Sequence, residues 1–194
     1  MLCLLACSLA SCQKEHEEPY SSMPTDRIFC FDQNGICYDP SVQPMSAAEF
    51  QQSMINYSWA PIKTHKIHAN GYCSLKELYV LDGGSYANYY FENESTVKEY
   101  FSIATYPPLS GFLRCTYRLD PTHNRIVGDY NIDMQILSVS ETEMEVIQRL
   151  GVSSQNKPMY GYTIFKRMSS QEFQEMEENY NTDFQELWGS YPQL

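Results

Sequence analysis

The sequence predicts a mainly β fold: an antiparallel meander closed into a barrel or stacked as a sandwich. Three observations carry this reading. Nine segments between residues 57 and 167 are rich in aromatic and β-branched residues and have a hydrophobic period of two. Turn clusters such as DGG, ENES, DPTHN and SETE separate them at intervals of about ten residues, as in all-β barrels and sandwiches. No helical pattern of comparable length intervenes, which excludes parallel βαβ units.

At the N-terminus, Met1 to Ala10 are apolar apart from Ser8, too short a run for the ~20 residues of a membrane-spanning helix. It matches the hydrophobic centre of a secretory signal, although no Lys or Arg precedes Lys14, and it ends on Leu9-Ala10-Ser11-Cys12. These four residues resemble a bacterial lipobox: an aliphatic residue, two small residues and the lipid-bearing cysteine. The resemblance implies a signal peptide over residues 1–11, cleavage after Ser11 and lipidation at Cys12. The product would be held in the outer membrane by its N-terminal lipid, on the periplasmic face or the cell surface. Two or three acyl chains at about 0.8 kcal/mol per buried methylene make such an anchor practically permanent. Behind it, QKEHEEPYSSMPTD is polar and carries Pro19 and Pro24, so residues 12–26 read as a flexible tether. Lys14, Glu15, Glu17 and Glu18 resemble a surface-export signal and equally suit a solvated linker.

Residues 27–45 follow as a cysteine hairpin and linker. Cys30, Cys37, Cys73 and Cys115 remain once the signal is removed and Cys12 is acylated, and an even number in an exported chain invites disulfides. In RIFCFDQNGICYDP a four-residue Asp32-to-Gly35 loop would set Cys30 opposite Cys37 and allow a bond. A two-residue Asn34-Gly35 loop would set Cys37 opposite Asp32 instead. A four-cysteine zinc site is the alternative, but the spacings lack the short C-x2-C knuckle, and no metal is assigned.

The first helix opens at Ser46, where Ser46 and Glu49 form an S-x-x-E capping box ahead of SAAEFQQSMIN. The strands then run YSWAPIKTHKI, LKELYVL, SYANYYFE, TVKEYFSI, FLRCTYRL, RIVGDYNI, MQILSVS, EMEVIQRL and MYGYTIFKR. A second capping box, Ser169 with Glu172, opens an acidic amphipathic helix in residues 169–194, expected over 170–187. Its stripe is Phe173, Met176, Tyr180, Phe184 and Leu187, with Glu175, Glu178, Asp183 and Glu186 facing water.

Order and turns together resemble the lipocalin-like (calycin-like) domains of bacterial lipoproteins. A short helix leads into Tyr57-Ser58-Trp59 at the first strand, and YYFENESTVKEY, TYRLDPTHNRI and MQILSVSETEMEV follow as successive hairpins before YGYTIFKR. Tyr57 stands where lipocalins carry a glycine two positions before the tryptophan. The resemblance spans residues 46–168 and implies a barrel of about eight strands that binds a small ligand.

Composition narrows the function. The formal net charge of −11, with no cluster of Lys and Arg, excludes nucleic acid as a partner. His65 and His68 form an H-x-x-H, but strand parity sends them to opposite faces, and neither His16 nor His123 has a nucleophile beside it. No G-x-S-x-G elbow, P-loop or H-E-x-x-H appears, so neither catalysis nor a cofactor is expected. The 16 tyrosines are the distinctive feature. Trp59, Tyr79, Tyr89, Phe91, Tyr100 and Tyr117 are candidates for an aromatic wall around a small apolar or aromatic ligand. With Phe91 inside, Tyr89 and Ala87 share its face. The same alternation suits a filled barrel, because eight strands enclose little more than their own side chains. In that case the protein acts through its surface, docking to an envelope protein.

Overall fold

The computed structural model describes residues 26–79, 87–103 and 105–189. The signal segment, Cys12, the tether up to residue 25, the Asp82-Gly83-Gly84 turn and residues 190–194 lie outside them. In chain order the elements are β1 (Asp26–Ile28), β2 (Cys30–Phe31), β3 (Cys37–Tyr38), α1 (Ala47–Met54), β4 (Ser58–Ile67), β5 (Tyr72–Ser74), β6 (Asn88–Phe91), β7 (Thr96–Ile103) and β8 (Leu109–Asp120). They continue with β9 (Arg125–Gly128), β10 (Asp133–Val139), β11 (Glu143–Val152), β12 (Pro158–Arg167), α2 (Ser170–Asn179), β13 (Thr182–Asp183) and α3 (Phe184–Gly189). Strands β4, β6, β7, β8, β9, β10, β11 and β12 each pair antiparallel with the next, and β12 pairs back onto β4. The result is a closed eight-strand barrel, which removes the edges an open sheet would expose.

Both capping boxes are present. Ser46 Oγ accepts from the Glu49 N–H while the Glu49 carboxylate accepts from the Ser46 N–H, and Ser169 and Glu172 repeat the exchange. Each box satisfies donors that the first helical turn leaves unpaired. Helix α1 turns Phe50 and Met54 into one end of the barrel. Helix α2 lies on the outer wall, where Phe173 packs on Tyr90 at 4.6 Å and Tyr100 donates to Glu177 at 2.9 Å.

The N-terminal strands cover the opposite side. Phe29, Cys37 and Cys73 form a second apolar cluster with Ile67, Ile147, Tyr160 and Tyr162. Arg27 sits over the Tyr162 ring at 4.4 Å and pairs with Glu145 at 3.0 Å. Gly71, with φ +85°, lets the chain cross Phe29 closely: a Cβ there would stand 1.9 Å from the Phe29 carbonyl oxygen.

Three expectations are corrected. The segment LKELYVL is not a barrel strand over residues 75–79: β5 ends at Ser74 and pairs with β1 outside the barrel. From there the chain runs beside β4, where the Tyr79 N–H donates to the Thr64 carbonyl. The C-terminal helix is broken, because Thr182 and Asp183 add to β8 in parallel against Gly111 and Phe112. A Cβ at Gly111 would stand 2.2 Å from the Thr182 carbonyl oxygen, so the pairing depends on glycine there. Finally, the Cys30–Cys37 bond is not formed. The turn holds five residues, Asp32 Oδ1 accepting from the Asn34 and Ile36 N–H groups, so Cys30 faces Tyr38 and Cys37 faces Phe31. That one-residue offset sends the two side chains to opposite faces, Cys30 exposed and Cys37 buried, and both thiols are free.

Candidate ligand site in the barrel interior

Strand register decides which residues face inward. The rungs Trp59↔Tyr89↔Glu99↔Leu113 and Phe91↔Val97↔Cys115 place each set on one face. Around the other half, Met144↔Phe165 and Val146↔Thr163 do the same. Near α1 this inner surface is solidly packed: Trp59, Phe91, Val97, Cys115, Ile126, Ile136, Met144, Val146 and Phe165 are all fully buried. Phe50, Phe91 and Tyr117 form a ring cluster with centroids 5.6 to 6.1 Å apart. The Tyr117 hydroxyl donates to the Asn93 carbonyl at 2.7 Å. Arg167 closes this end, its guanidinium 3.6 Å from the Tyr57 ring centroid and 5.2 Å from that of Trp59, with a bond to the Ser53 carbonyl.

Towards the opposite end, the mouth, packing loosens and polarity rises. Glu99, Phe101, Ile103, Leu109 and Leu150 keep partial exposure. Glu99 accepts from the Tyr89 hydroxyl at 3.3 Å. Burial holds its carboxyl up at about 7, against the lowering effect of that bond. Burial, and then the Glu99 carboxylate, push the Tyr89 hydroxyl well above its ordinary range. On the facing strands, Gln148 Nε2 donates to Thr163 Oγ1 at 2.8 Å, and Thr64 and Thr163 share a hydroxyl bond of 3.0 Å. At the mouth, α3 delivers Phe184 against Phe101 at 5.0 Å, with Trp188 stacked behind at 5.4 Å.

Of the residues expected to line a ligand site, Trp59, Tyr89, Phe91 and Tyr117 lie on the inner face. Tyr100 does not. It sits between inward Glu99 and Phe101, so the strand alternation turns it outward under α2. Tyr79 lies in the segment after β5, partly buried beside β4. The inward polar groups Glu99, Gln148 and Thr163 were not foreseen. For Glu99 the signal was in the sequence: in TVKEYFSI it shares the parity of Val97, Phe101 and Ile103. Among the described residues no group of three His, Cys, Asp or Glu is placed to hold a metal ion.

No family model matches the chain, and no curated protein matches it. Among solved structures it is similar to the odorant-binding protein from bovine nasal mucosa, at 15% identity and a TM-score of 0.37, covering 66% of this chain and 83% of that one. The bovine protein in complex with undecanal gives 16% identity and a TM-score of 0.35, and its complex with its natural ligand 17% and 0.34, each covering the same shares of the two chains.

Proposed function

We propose that this is a lipid-anchored envelope protein whose barrel holds a small apolar or aromatic ligand without transforming it. The observation that carries the reading is the division of the inner surface. One end is closed by α1 and fully packed, while the mouth end keeps partly accessible apolar side chains around a few polar ones, the usual make-up of a ligand pocket. The lipobox-like Leu9-Ala10-Ser11-Cys12 supports the anchor, and with it a location in the outer membrane, on its periplasmic face or at the cell surface.

An apolar dye that fluoresces on leaving water tests the binding. One-to-one saturation is expected, lost in Ile103→Trp, whose larger ring fills the mouth end. Cys12→Ser should release the protein from the membrane fraction. A second reading, a filled barrel that docks to an envelope protein, is favoured by Phe184, whose fully buried ring occupies the mouth. Absence of saturable binding in both the wild type and Phe184→Ala would decide for it.

A further inference from the structure

Among the described strand residues, Glu99 is the one acidic side chain on the inner face of the barrel. A carboxylate in an apolar wall is costly unless it is paired. Among the described residues what it has is one bond, from Tyr89, at the long end for a hydroxyl donor. The titratable groups facing it from the neighbouring strands are the Tyr89 hydroxyl from β6 and the Cys115 thiol from β8, neither of them a cation. Among the described strand residues the two inward cations are placed elsewhere. Arg167 is stacked on Tyr57 at the closed end, and Lys66 stands exposed where β4 leaves the barrel. Yet Glu99 is partly accessible, and Phe101, Ile103 and Leu109 lie towards the mouth from it.

We propose that the barrel selects ligands carrying a protonated amine, an alkyl or arylalkyl ammonium whose charge pairs with Glu99 while its apolar part lies against Phe101, Ile103 and Leu109. The inference rests on the reading of the barrel as a ligand carrier. An ammonium supplies what the site lacks, a charge-assisted donor for the free carboxylate oxygen in surroundings that strengthen the pairing. A neutral alcohol of equal length gains the same apolar contacts without the charge. A carboxylate would be repelled.

Calorimetric titration of the full chain with n-octylamine, 1-octanol and octanoate at about pH 8, where Glu99 is ionised, separates these cases. Octylamine should bind about tenfold tighter than octanol, and octanoate most weakly. Glu99→Gln should bring octylamine to within about threefold of octanol and leave octanol unchanged. On the wild type, lowering the pH to about 5.5 should weaken octylamine alone, because Glu99 gains a proton while the amine keeps its own. This arm holds even if the variant fails to fold. Equal binding of octanol and octylamine, or an amine preference that survives Glu99→Gln, overturns the amine assignment and leaves the carrier reading standing. Failure of all three to bind overturns the carrier reading and this inference with it.

Discussion

Burial holds the Glu99 carboxyl up at about 7, against an ordinary value of 4.5. The folded protein therefore keeps a proton there that the unfolded chain gives up between those values. With more protons bound in the folded state, stability falls as pH rises through this window, the reverse of a salt-bridged acid. Comparing urea midpoints of the wild type and Glu99→Gln isolates the effect from the other carboxylates. The variant should be more stable than the wild type by about 1 to 3 kcal/mol at pH 8 and nearly equal to it at pH 4. A difference between the two that does not change with pH would mean that Glu99 titrates as an exposed acid does. The residue was legible in one respect only. Alternation in TVKEYFSI put a charge on the apolar side of a strand, but its pairing with Tyr89 across β6 depends on a register that the two segments do not reveal separately.

At the scale of elements, the N-terminal hairpin shows how one residue of register changes the chemistry. The exposed Cys30 thiol should react with a maleimide in the folded protein, while Cys37, Cys73 and Cys115 should react only after unfolding. Burial pushes those three thiols up to about 12, 11 and 12, which leaves little thiolate to attack. Peptide mapping reads the result, and a linked Cys30–Cys37 peptide from unreduced protein would contradict the offset register. Elements that declare themselves locally were legible: both S-x-x-E boxes and eight of the nine period-two segments became helix caps and barrel strands. Features set by distant partners were not. The break at Thr182-Asp183 needs Gly111, some seventy positions earlier in the chain, and LKELYVL has the alternation of a strand but forms none over residues 75–79.

For the whole molecule, the described segments flanking the barrel are spent on its outside and its mouth: the N-terminal strands on β4, β11 and β12, α2 on β6 and β7, and α3 at the mouth. Alternation foretold the antiparallel meander and the shared inner face of Tyr89 and Phe91, while suiting a sandwich as well as the closed barrel. It could not foretell that Phe184 enters the mouth, because the stripe that carries it also suits an unbroken helix on the wall.

The joints between neighbouring strands are uneven. β7 and β8 share eight residue pairs, whereas β4 and β6 share two among the described residues, Ser58↔Tyr90 and Trp59↔Tyr89. A short pairing holds less firmly than a long one, so amide hydrogens of Asn88–Phe91 should exchange with deuterium sooner than those of Thr96–Ile103.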